Sequence, residues 1–89
     1  MTDLDVAVTT IVGNKTIARI TTTEDFAATY CIAIVNEATD YIVVSRGDEI
    51  LWVVDGMAPG NHEENWYDWY IPKSTQDVFD RYPELKGKF

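Results

Sequence analysis

The stretch YIVVSRGDEILWVV, residues 41–54, decides the fold. Two short runs dense in Val, Ile and aromatic residues, Tyr41–Arg46 and Glu49–Val54, flank the pair Gly47-Asp48. Runs of this length and composition suit strands, and a Gly-Asp pair between them supplies the turn. The residues that follow, Asp55-Gly56-Met57-Ala58-Pro59-Gly60, end the second strand, because glycines and a proline cannot continue a ladder.

Working towards the N-terminus, residues 4–12 (LDVAVTTIV) and 15–22 (KTIARITT) form a second pair of strand-like runs around Gly13-Asn14. Glycine at the first turn position tolerates positive φ, so the pair predicts a two-residue hairpin. That turn sets Val12 opposite Lys15 and Val8 opposite Arg19, and neither face of the hairpin becomes cleanly apolar. The segment between the two hairpins reads two ways. Thr22 with Asp25, or Thr23 with acids in the first turn, can open a helix, whereas Tyr30–Val35 (YCIAIV) is an apolar run that suits a buried strand. The expectation is a short helical turn near 23–28 and then a strand over 29–35. Together these segments predict an antiparallel meander of about five strands.

The tail differs in kind. Residues 61–70 (NHEENWYDWY) are acidic and aromatic, and Pro72 closes them. Ser74 then caps a predicted helix over Thr75–Tyr82, with Asp77 in its first turn opposing the macrodipole. Val78, Tyr82 and Leu85 are spaced i, i+4, i+7, with Phe79 beside them, while Asp77, Asp80 and Glu84 line the other side. Pro83 predicts a break near Tyr82, with Leu85 docking from a final turn. The fold class that follows is α+β: an antiparallel sheet with the C-terminal helix packed on one face, residues 1–89 forming one domain.

The charge limits the partners. Fifteen Asp and Glu stand against seven Lys and Arg, a formal net of −8 on 89 residues. Nucleic acid and anionic lipid carry the same sign and are poor direct partners; a basic protein surface is the complement. With 46% hydrophobic and 12% aromatic residues the chain is too apolar for intrinsic disorder. The acids are spread from Asp3 to Glu84, so they decorate a folded surface. Only the end departs from this, where Arg81, Lys86 and Lys88 outweigh Glu84 and suit a helix C-terminus. The first residues, MTDLDVAV, have no basic region followed by an apolar core, and no apolar run is long enough for a membrane span. The expectation is a soluble, cytoplasmic protein, acting in the host-cell cytoplasm if virus-encoded.

Catalytic signatures are missing. His62 precedes Glu63 and Glu64, but Trp66 stands where a zinc-protease helix needs its second histidine. No glycine-rich elbow surrounds Ser45 or Ser74, and no lysine-bearing phosphate loop is present. Cys31 sits among apolar neighbours, where a thiol is a core residue rather than a nucleophile. No enzyme activity, metal or cofactor is expected.

The acids and aromatics carry the candidate site. Trp66, Tyr67, Trp69 and Tyr70 are too many rings in five residues for one small core, and aromatic residues supply much of the energy at interfaces. Alongside that interface reading, Trp66 and Trp69 can cap the open end of the sheet beside Trp52. The expected partner-binding residues are Glu63, Glu64, Asp68, Asp77 and Asp80 for charge, with Tyr67, Trp69 and Tyr70 as anchors. Asp3 and Asp5 lie on one face of the first strand, and Glu24-Asp25 and Asp48-Glu49, like Glu63-Glu64, are adjacent acids at element ends. Carboxylates held at intervals on a rigid scaffold can imitate a phosphate backbone in the basic channel of a nucleic-acid enzyme. In size and charge alone the chain is similar to the small acidic inhibitors that phages use against host nucleic-acid enzymes and defence systems, anti-CRISPR and anti-restriction factors among them; no motif carries that likeness. The function expected is therefore a non-catalytic inhibitor or adaptor. A self-assembling domain joined through an edge strand and the aromatic segment is the alternative, and a small hydrolase using His62 comes third.

Overall fold

The structure, a computed structural model, describes residues 5–13, 15–34, 39–56 and 68–87. Five strands, β1 (Asp5–Val12), β2 (Lys15–Thr23), β3 (Tyr41–Arg46), β4 (Glu49–Asp55) and β5 (Asp68–Tyr70), form one antiparallel sheet in the order β2-β1-β3-β4-β5. The helices are α1 (Glu24–Ile34) and α2 (Thr75–Arg81), and Pro83–Leu85 adds a turn of 3-10 helix. The α+β class holds, with the C-terminal helix against the sheet. The meander is broken at one place: β2 and β3 flank β1, so the chain crosses over through α1.

That crossover corrects the reading of residues 29–35 as a strand, because residues 29–34 are helical. Thr23 Oγ1 accepts from the Phe26 N–H at 3.3 Å, which makes Thr23 the cap with Glu24 and Asp25 in the first turn. Ala27 and Cys31, one helical turn apart, are the residues α1 buries. The fifth strand comes instead from the aromatic segment, where Asp68–Tyr70 pairs with Val53–Asp55.

Both tight turns form as expected. Arg46 pairs with Glu49 around Gly47, whose φ is 61°, and Val12 pairs with Lys15 around Gly13, whose φ is 59°. Beyond Ile11 the first register slips: Thr10 pairs with Ala18, leaving Ile17 as an extra residue, so Val8 faces Ile20 rather than Arg19. A bulge is invisible to an alternation count, and here it moves Ile20 opposite Val8, where both pack against the core.

The sheet separates two apolar clusters. Val6, Val8, Ile42, Val44, Trp52 and Val54 face α1 through Ala27 and Cys31. Ile11, Tyr41, Val43, Ile50 and Val53 face Val78, Tyr82 and Leu85 on the other side. Strands β3 and β4 are covered on both faces, which is why they read as continuous apolar runs. Val78, Tyr82 and Leu85 form the predicted stripe, with the break at Pro83 letting Leu85 dock. Asp40 fastens one end of the sheet. Its side chain accepts from the Gly13 N–H, its own N–H donates to the Ile11 carbonyl, and its carbonyl accepts from the Gly56 N–H.

Candidate functional site

Three connections gather acidic side chains at the end of the sheet where β2 meets α1 and β3 meets β4. Glu24 Oε1 accepts from Arg46 Nη2 at 2.7 Å, which ties the first turn of α1 to the base of the β3–β4 turn. Thr75 Oγ1 donates to the Asp48 carbonyl and accepts from the Ile50 N–H, both at 3.2 Å, which ties the start of α2 to the same turn. Ser74 caps α2 by accepting from the Asp77 N–H, and Asp77 Oδ2 accepts in return from the Lys73 N–H. Glu24, Asp25, Asp48 and Glu49 are all exposed, and Asp77 is half-buried beside them. Arg46, which Glu24 holds, and Lys73 lie among them. Asp48, Glu49, Pro72 and Lys73 line one shallow concavity here, and Glu24, Asp25 and Arg46 line a second.

The expected partner-binding residues are distributed differently. Glu63, Glu64 and Tyr67 lie outside the described residues, as do His62 and Trp66, and Asp68 is described by its backbone alone. Trp69 is 36% exposed and stacks on Trp52, ring centroids 5.8 Å apart, so it closes the core at the β5 edge while showing one surface to solvent. Tyr70 points to the opposite face, where the Arg81 guanidinium lies 4.6 Å from its ring centre and Tyr82 meets it edge-on. Asp80 is exposed on α2 and accepts from Gln76 one turn earlier. Asp77 thus joins the acidic end, Asp80 lies further along α2, and Trp69 and Tyr70 belong to the β5 edge. The pairs Glu24-Asp25 and Asp48-Glu49 are the better-gathered acids. The sequence signal for them was their place at element ends, but their proximity depends on the crossover.

Burial shifts three titratable groups of the interior, Cys31, Tyr41 and Tyr82. Burial pushes the Cys31 thiol up to about 11, offset only in part by the neighbouring Trp52 indole. Trp52 Nε1 meets no acceptor at ordinary hydrogen-bond geometry, so its contact with the sulfur is weak. Such a thiol is protonated at neutral pH and is no nucleophile. Burial also raises the Tyr41 phenol far above its ordinary value, and its hydrogen bond to the Glu84 carboxylate adds to the effect. Tyr82 is raised by burial as well, opposed by the hydrogen bond from Arg81. Among the described residues no three His, Cys, Asp or Glu side chains gather to hold a metal ion, and no helix is long and apolar enough to cross a membrane. No protein-family model, curated protein or solved structure matches this chain.

Proposed function

We propose that this protein is a non-catalytic binding protein whose acidic end engages a basic surface on another protein, in its sharpest form as an inhibitor of a nucleic-acid enzyme or defence system. The observation that carries the reading is the gathering of Asp25, Asp48, Glu49 and Asp77 at one end of a chain whose formal net charge is −8. The backbone that carries these carboxylates is held by capped helix starts and a tight turn, so little main-chain ordering is needed on binding. A negative field of this kind speeds encounter with a cationic groove and disfavours nucleic acid itself. The exposed surface of Trp69 offers an aromatic contact at the β5 edge of the sheet.

The test is capture from host-cell lysate with the tagged protein, compared with a D48K/E49K variant and repeated with competitor DNA and raised salt. One basic nucleic-acid enzyme should be retained by the wild type, lost with the variant and displaced by DNA. Equal capture by both proteins would remove the acidic end from the binding surface. A partner held equally well with DNA present would end the mimicry reading and move the contact to the aromatic edge.

A further inference from the structure

We propose that β2 and the adjoining face of α1 form a two-fold seam at which a second copy of this chain docks, the two β2 strands pairing antiparallel into one ten-stranded sheet. This surface shares Asp25 with the acidic end but not Asp48, Glu49 or Asp77, and the binding reading is tested at Asp48 and Glu49 alone, so the inference stands apart from it. β2 is nine residues long, is an edge of the sheet, and is exposed along most of its length. Edges of that length present backbone donors and acceptors to any strand that fits.

Beside this edge lies an apolar strip that no described element covers. Ile17 is 61% exposed and Phe26 52% exposed. Phe26 stacks with Tyr30 at 6.2 Å, and Tyr30 and Ile34 line a groove with Ile17 and Ala18. Phe26, Tyr30 and Ile34 recur every fourth residue, so they form one stripe of α1 on its β2 side. Helix α1 has no charged residue after Asp25, and a helix so apolar is ordinarily covered on more than the single face that α1 buries here.

The charges select a second copy and its register. The buried face of α1, Ala27 and Cys31, packs on residues of β1, β3 and β4, while its Tyr30 and Ile34 side borders β2. An axis at Arg19 would set two guanidinium groups face to face. An axis at Ile20 sets each Arg19 opposite Thr21 instead, and carries Lys15 of one copy to the acidic first turn of α1, Glu24 and Asp25, in the other. Lys15, Arg19 and the bulge at Ile17 also guard the edge against indiscriminate strand addition; in this register the same features admit a second copy.

Sedimentation equilibrium of the intact protein tests this, with circular dichroism to confirm folding of each variant. The wild type should run at twice the chain mass. I17K/F26K should be folded and weaken association by about 30-fold, the size of an interface hot-spot loss. I32K, which alters an exposed residue on the far side of α1, should leave the dimer intact. K15E should weaken the dimer by about tenfold through its two symmetric contacts, and K15E/D25K should restore it. A wild type that stays monomeric at millimolar concentration overturns the proposal. So does a dimer that I17K/F26K leaves unchanged or that the charge swap fails to restore. None of these results bears on capture by Asp48 and Glu49, so the two readings fail separately.

Discussion

The two helices of this protein solve the same problem in different ways. Helix α2 is amphipathic: Val78 is fully buried, Tyr82 and Leu85 follow it into the core, and Gln76, Asp80 and Arg81 face solvent. It is fixed at its start by Ser74, Asp77 and Thr75 and stopped by Pro83. Helix α1 is longer and more apolar, yet it buries only Ala27 and Cys31 and leaves Phe26 and Ile32 exposed. A helix whose polar and apolar faces match its surroundings is complete within the chain. One whose apolar surface exceeds what the sheet covers is open to further association.

The contrast predicts unequal costs for substitution. Leu85→Ala should be the most damaging change on the α2 side, losing about 2–5 kcal/mol in denaturant unfolding, because a fully buried leucine leaves a cavity. Gly56→Ala tests the fastening between the two faces. A Cβ there would collide with the Thr39 carbonyl, so a loss of about 1–3 kcal/mol is expected, with the melting temperature lowered accordingly. Thr75→Val removes both hydrogen bonds to the β3–β4 turn and strands the Ile50 N–H, for about 1–2 kcal/mol in the same assay. At the small end, Ile32→Ala should change monomer stability by less than about 0.5 kcal/mol, since its side chain is already mostly in water. A large loss at Ile32 would show that α1 is more deeply covered than the contrast allows.

Titration sharpens the same comparison. Cys31 on the α1 side and Tyr41 and Tyr82 on the α2 side all have folded-state values raised above their ordinary ones. The unfolded chain therefore releases these protons first as pH rises. Their contribution is fully present below the ordinary thiol and phenol values and is lost above them. Unfolding free energy should fall as pH is raised from about 9 towards 11. Tyr41→Phe should flatten the upper part of that decline while leaving the Cys31 part unchanged. A decline identical in the variant would mean that the Tyr41 phenol is not raised in the folded protein.

Much of this architecture was legible in local chemistry. Gly47 and Gly13 mark their turns because positive φ is a property of the residue itself, and Ser74, Val78, Tyr82, Pro83 and Leu85 wrote out α2 and its break by cap, spacing and ring geometry. The segment 24–34 was not legible to the same degree. Its run YCIAIV has the composition of a buried strand and of an apolar helix alike, and its apolar surround blunts the helical period. The acidic end was half legible: each pair of carboxylates could be placed at an element end, but not beside the other.

What the sequence by itself determined is therefore the set of local conformations and the sign of the surface: two tight hairpins, a capped C-terminal helix and a net charge of −8. Tertiary structure alone decided that the helix opened at Thr23 runs on to Ile34, the strand order β2-β1-β3-β4-β5, and the bulge that sets Ile20 opposite Val8. The physical reason is range. Turns and caps are closed by groups a few residues apart, so their chemistry is written where they form. The state of an apolar run depends on which surface covers it, and at Ala27 and Cys31 that surface comes from strands distant in the chain.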